Sequence, residues 1–346
     1  MRASGLVSIC VLTGAGLVST LNASTVTGMV IFGDSLSDTG NTATDTTLAL
    51  GGETGGLLAG LPQTELPYAP FYQNGLFTDG PSTSPSSTLQ GVWVQQLAPK
   101  LGLPVPTNSL AGGTDYAFAG AETGSGTAYK GIVQNMGMQL EDFCGGACTT
   151  VSSSNLYVLF GGANDILDNP TNPIPAANTA AANIMSYIGM LASAGGTEFL
   201  WPNLPPMGEL PNVAALGPLA QAAANAAAVT FNSDEATDIA QLEASHPGIT
   251  IVGVNTFGLF QSIALDPGAY GFTNTTVPAA NFLNGNQNVN PDTYLFWDGE
   301  HPTTAGHAAL AGLAASDYLA AVPEPATIAL AGMGLAGVLL WRRRAA

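Results

Sequence analysis

Apolar residues in this chain gather into short dense runs, separated by longer stretches in which they recur at helical spacing. The runs at 29–32, 114–118, 156–160, 198–201 and 249–254 are rich in β-branched and aromatic side chains and are bounded by glycine or polar residues, as buried strands of a parallel sheet are. Between them Ile132, Met136, Leu140 and Phe143 fall on one helix face, a stripe that reads as core packing. Strands alternating with helices predict an α/β fold: a parallel sheet covered on both faces, in a three-layer α/β/α, flavodoxin-like doubly wound arrangement. One domain over 25–321 accounts for the body, with no internal repeat. A Gly/Thr/Ser/Pro-rich insertion at 42–90 interrupts the alternation. Its apolar patches at Leu57-Leu58 and at 68–72 suit a wall or lid beside a substrate as well as they suit a plain surface loop.

The two ends follow other patterns. Arg2 precedes an uncharged, apolar stretch at 5–21, and the small residues Ala23 and Ser24 suit a signal peptidase, so 1–24 is expected to be a secretory signal peptide. At the far end, Val322-Pro323-Glu324-Pro325 leads into an apolar run at 326–341 and then Arg342-Arg343-Arg344. That run is slightly shorter than the roughly 20 residues a spanning helix prefers, and its basic cluster marks the cytoplasmic side.

Candidate chemistry begins where the first run ends. Gly33-Asp34-Ser35-Leu36 puts Ser35 just past the carboxyl end of a predicted central strand, where the loops of an open α/β sheet form a ligand crevice. Alone, such a serine is equally an ordinary turn residue. Far downstream, Asp298-Gly299-Glu300-His301-Pro302-Thr303 precedes an Ala-rich segment with apolar Leu310 and Leu313. Pro302 suits the first position of a helix, which places Asp298 and His301 in the turn before it. Across that turn the carboxylate can accept from the imidazole Nδ1–H, leaving Nε2 to take a proton from a serine hydroxyl. Gly161-Gly162-Ala163-Asn164-Asp165 follows another strand candidate. Asn164 can offer a side-chain N–H to a developing oxyanion, Gly162 lets the backbone pass close to the substrate, and Gly120, after the 114–118 run, supplies a second N–H.

Together these blocks resemble the SGNH or GDSL hydrolase family, closely its secreted esterase/lipase branch. The resemblance is carried by 32–41, 116–121, 162–165 and 298–303, and extends through Asn203 to Gly208, Phe231-Asn232, Asp266-Pro267 and Tyr270-Gly271-Phe272. It implies the SGNH fold, Ser35 as nucleophile, His301 as base and Asp298 as its orienting acid. It also implies an oxyanion hole of Ser35 N–H, Gly120 N–H and Asn164 Nδ2, with no metal or organic cofactor. Two positions depart from the family pattern. Leu76 stands where members often carry Arg, removing either an anion contact or a surface salt bridge, and Asn255 stands where they carry Asp. The C-terminal segment, 322–346, resembles a PEP-CTERM sorting signal. That implies export in a Gram-negative bacterium, with removal by a sorting protease or anchoring in the membrane; a plain tail anchor would give the same topology.

Charge sharpens the picture. The chain has 24 Asp+Glu against 6 Lys+Arg, and the four arginines lie at 2 and 342–344, so the body keeps only Lys100 and Lys130 as bases. Nucleic acid is thereby excluded as a partner, because phosphate binding is driven by Lys and Arg. Charged residues make up only 9% of the chain, so the acidity reflects scarce bases rather than a dense acidic coat. Cys10 lies in the signal, leaving Cys144 and Cys148 to close a small disulfide loop; zinc would need further ligands, and none stand nearby. These observations point to an exported ester hydrolase acting on neutral carboxylic esters of lipids or acylated sugars. Acyl transfer or carbohydrate deacetylation by the same residues, and a catalytically silent surface or matrix protein, stay open alternatives.

Overall fold

The computed structural model describes residues 26–45, 75–79, 91–128, 133–280 and 289–322. The expected signal peptide, the C-terminal run beyond 322, Ile132 and the apolar patches at 57–58 and 68–72 lie outside them.

Its strands are β1 (Gly28–Gly33), β2 (Thr127–Ala128), β3 (Val133–Gln134), β4 (Asn155–Phe160), β5 (Glu198–Pro202) and β6 (Thr250–Val254). The short β2 and β3 pair with each other, and the rest form a parallel sheet in the order β1-β4-β5-β6. Four of the five expected strands are present with ends shifted by at most one residue. The fifth, 114–118, is not a regular strand but touches β1 through a single parallel bridge, Ile31 to Asp115. Beyond that bridge the ladder stops, because Gly33 N donates to Gln139 Oε1 (2.9 Å) rather than to Tyr116 O; on its outer side Asp115 pairs with Thr107 O (3.1 Å) and Ser109 N (2.7 Å). The segment still lies along β1, since Ile31 N donates to Thr114 O, Tyr116 N to Ile31 O and Phe118 N to Gly33 O. The chain therefore passes to both sides of β1. Its carboxyl end is the switch point at which doubly wound sheets open a crevice.

The helices are α1 (Asn41–Thr44), α2 (Trp93–Lys100), α3 (Met136–Cys144), α4 (Ala163–Leu167), α5 (Pro173–Ser193), α6 (Pro211–Ala215), α7 (Pro218–Ser245), α8 (Thr256–Leu265) and α9 (Thr304–Ala321). Alternation along the strands sorts the longer ones into layers. Phe32, Tyr157, Phe199 and Trp201 share one face, where Phe143 of α3 and Phe231 of α7 pack on them. Phe160 points to the other face and meets Trp93 of α2, which lies against α9. The result is the expected three-layer α/β/α body. Within it α3 carries Met136, Leu140 and Phe143 inward, as the stripe predicts.

Several local expectations change. Pro302 does not begin the last helix. Thr303 caps it instead, its Oγ1 accepting from Gly306 N at 3.1 Å, while Pro302 is held in a bridge to Phe296. A threonine hydroxyl satisfies an otherwise unpaired N–H at a helix start, which proline cannot do. Of the 42–90 insertion, 42–44 belong to the helical turn α1, and 75–79 pack into the body with Phe77 fully buried. Leu76, one of the two departures noted above, is buried against the core, where it packs and carries no charge. Asn255 caps α8, its Oδ1 accepting from Gly258 N at 2.9 Å, a task Asn performs as well as Asp. At the end of α3, Gly145 (φ 65°) and Gly146 (φ 112°) turn the chain so that Cys144 is bonded to Cys148. No helix among the described residues is long and apolar enough to cross a membrane.

Candidate active site

Ser35 owes its place to what holds the end of β1. The buried Gln139 of α3 donates to Gly33 O (2.8 Å) and accepts from Gly33 N (2.9 Å), fixing the last residue of the strand from outside the sheet. Gly33 is required there, because a Cβ would lie 2.4 Å from Phe160 O. Beyond Ser35 the chain folds over the Asp38 carboxylate. One of its oxygens accepts from Gly40 N and Asn41 N, the other from Thr42 N and Ala119 N. Asn41 donates to Asp115 O and Ala117 O, and the Asp115 carboxylate accepts from Thr39 N and Ala117 N. Burial pushes the Asp38 and Asp115 carboxyls up, Asp115 further because Asp38 is close. This network ties the serine loop to the segment that delivers Gly120.

The turn between Phe296 and Thr304 brings the other members. Asp298 Oδ1 accepts from the backbone of Glu300 and His301, both at 2.8 Å, which orients the carboxylate toward the imidazole. His301 Nδ1 lies 2.8 Å from Asp298 Oδ2, and His301 Nε2 lies 2.8 Å from Ser35 Oγ. From the other side the 75–79 segment braces the turn: the Phe77 ring lies 5.2 Å from the His301 ring, Thr78 Oγ1 donates to Pro302 O (3.0 Å), and Asp79 accepts from Thr304 N. Asp298 and His301 are 3% exposed and Ser35 8%, so only the serine edge of the row reaches the surface. Burial works against the imidazolium, but Asp298, and behind it Glu300 and Asp34, outweigh it and raise His301 to about 9. Burial likewise raises Asp34 to about 7.

Three candidate donors stand on Ser35, Gly120 and Asn164. Among the described residues neither Ser35 N–H nor Gly120 N–H has an acceptor, and Gly120 sits at φ 76°, which favours glycine. Asn164 Nδ2 donates one of its two N–H groups to Ala121 O at 2.9 Å and keeps the other. The structure thus brings Ser35, His301 and Asp298 into one row and sets Asn164 against the residue after Gly120. Gly162 has a structural reason of its own: at φ 106° a Cβ there would lie 2.7 Å from the Phe231 ring, so the glycine admits α7. Asp38, Asn41, Asp115 and Gln139 were not anticipated as supports. The signal for the last two was a polar residue set within an apolar run or helix face. Among the described residues no three His, Cys, Asp or Glu side chains gather as a metal site requires.

The sequence from 29 to 313 matches the GDSL-like lipase/acylhydrolase family. The chain belongs to that family. A GDSL esterase/lipase of Arabidopsis thaliana is 27% identical over 237 residues, covering 58% of this chain and 65% of the relative. Another from the same plant is 24% identical over 353 residues, covering 86% and 90%. An uncharacterized protein of Pseudomonas putida is 26% identical over 319 residues, covering 84% of this chain but 48% of its own length. Against two further plant GDSL esterase/lipases the chain spans about half their length. Residues 321–344 match the PEP-CTERM protein-sorting motif.

Proposed function

We propose that this protein is an exported serine ester hydrolase that cleaves neutral carboxylic esters through an acyl-enzyme intermediate. The observation that carries the reading is the continuous row from Ser35 Oγ through His301 to Asp298, with both links at 2.8 Å. Ser35 Oγ attacks the ester carbonyl while His301 Nε2 takes the hydroxyl proton, and Asp298 steadies the imidazolium. The oxygen that becomes negative is met by Ser35 N–H, Gly120 N–H and the unspent N–H of Asn164. On collapse the C–O bond to the alcohol breaks and His301 returns its proton to the departing oxygen. Water, deprotonated by the same imidazole, then attacks the acyl carbon and releases the acid and Ser35.

The PEP-CTERM motif and the signal-like 1–24 segment support export, with the C-terminal segment serving as the handle for a sorting protease or as a membrane anchor. The charge balance supports a neutral substrate. A body whose only bases are Lys100 and Lys130 repels anions and has no guanidinium fork for a phosphate. The comparison to run is hydrolysis of a neutral acyl ester against a phospholipid with the same acyl chain, at low and high salt. The neutral ester is expected to be cleaved faster under both conditions. Faster cleavage of the phospholipid at low salt, where repulsion is least screened, would overturn the substrate assignment.

A further inference from the structure

The two oxyanion donors outside the serine loop come from different parts of the chain. Gly120 follows the edge segment beside β1, and Asn164 opens α4 after β4. Their spacing matters only if something fixes one to the other, and two clips do so. Asn164 Nδ2 reaches Ala121 O, the residue after Gly120 (2.9 Å). Thr123 in turn grips Asp165, the residue after Asn164: its Oγ1 donates to one carboxylate oxygen at 2.7 Å and its N–H to the other at 3.0 Å.

Thr123 is fully buried, and its remaining polar capacity is spent on α5. Asn183 Nδ2 donates to Thr123 Oγ1 (3.1 Å), and the Tyr187 hydroxyl donates to Thr123 O (2.8 Å). The helix α3 leaves little slack behind this contact, since a Cβ on Gly137 would lie 2.7 Å from the Tyr187 hydroxyl and 2.9 Å from Ser125 Cα. We infer that Thr123 is a positioning residue for the reaction, acting through Asp165 to hold Gly120 N–H and Asn164 Nδ2 at the spacing the oxyanion needs; this rests on the ester-hydrolase reading above. Burial raises the Asp165 carboxyl to about 6 and the Thr123 hydrogen bonds oppose that rise, so the grip keeps Asp165 ionised, as a two-donor clamp requires.

The test compares Thr123→Val, Thr123→Ser and Ser35→Ala with wild type, using the p-nitrophenyl ester of a short fatty acid and measuring kcat and KM separately. Thr123→Val is expected to lose about tenfold to hundredfold in kcat with KM within about twofold, because displaced donors fail only when charge develops. Thr123→Ser, which keeps the hydroxyl, is expected to recover most of that loss. Should Thr123→Val not fold, Tyr187→Phe carries the test, with a several-fold loss of kcat expected at unchanged KM. Unchanged kcat in whichever of these variants folds, a loss expressed in KM, or a Thr123→Ser variant as impaired as Thr123→Val overturns the inference. The Ser35→Ala arm separates the two claims: wild-type turnover there defeats the hydrolase reading itself.

Discussion

Asn41 gives the support network its sharpest test. Its side chain is fully buried, with Nδ2 donating to Asp115 O at 2.7 Å and Ala117 O at 3.0 Å, and Oδ1 accepting from Ser109 Oγ and Leu110 N, both at 3.1 Å. Asn41→Asp keeps the shape but sets an oxygen against two carbonyl oxygens, close to the buried carboxyls of Asp38 and Asp115. Asp115 O retains a bond from Ser109 N, so one acceptor is orphaned outright and the other in part. A buried acceptor left unmet costs about 1–3 kcal/mol, which puts Asn41→Ala near 2–3 kcal/mol. The added charge should carry Asn41→Asp to about 3–5 kcal/mol at pH 7. The introduced acid has its folded pKa raised above its unfolded value, so its penalty is full above the folded pKa and is relieved as the pH falls and the carboxyl takes a proton. Urea unfolding at pH 7 and pH 5 reads both effects. The expected order of stability at pH 7 is wild type, Asn41→Ala, Asn41→Asp, with the gap between the last two narrower at pH 5 and closing only below the unfolded carboxyl value of about 4. An Asn41→Asp variant within about 1 kcal/mol of wild type at pH 7, or a deficit equal at both pH values, would refute the reasoning.

Other expectations follow from the same geometry. Asn164→Ala should lower kcat by roughly 10²-fold with little change in KM, and an effect confined to KM would make Asn164 a ground-state binding group. Because His301 is raised to about 9, kcat/KM should climb between the ordinary histidine value and about 9, and Asp298→Asn should move that limb down; a wild-type limb at or below 6.5 contradicts this. The sign for folding is opposite: the stability contributed by the His301 pair is complete below 6.5 and is lost as the pH rises through about 9, which thermal unfolding across that window would register. Cys144 and Cys148 should resist alkylation in denatured, unreduced protein recovered from an oxidising compartment, and two free thiols there would remove the disulfide.

Much of the fold was legible because burial on both faces leaves a strong mark: β1, β4, β5 and β6 are apolar runs that a parallel sheet alone requires. The 114–118 segment is only partly apolar, and the ladder beside it stops where Gly33 N turns to Gln139 instead of Tyr116 O. A local pattern cannot show which partner a backbone group takes. The site was legible where the proposed chemistry rests on single residues, as at Ser35, Asn164, Asp298 and His301. It was hidden where the role depends on contacts far along the chain. Gln139 meets Gly33 across 106 residues and Asp79 caps α9 across 225, distances at which spacing carries no signal. Gly162 shows the converse, a conspicuous glycine whose small size answers to the Phe231 ring packed behind it, a contact no local pattern announces.

The central claim is that Ser35 is the nucleophile of an ester hydrolase. Its most direct test is treatment of the purified protein with a fluorophosphonate, which phosphonylates a serine activated by a neighbouring imidazole, followed by peptide mass analysis and parallel assay of ester cleavage. The expected result is one label per chain, on Ser35, rising in step with loss of activity, and no label on Ser35→Ala or His301→Ala. Label on another residue, or full ester cleavage by Ser35→Ala, would contradict the account.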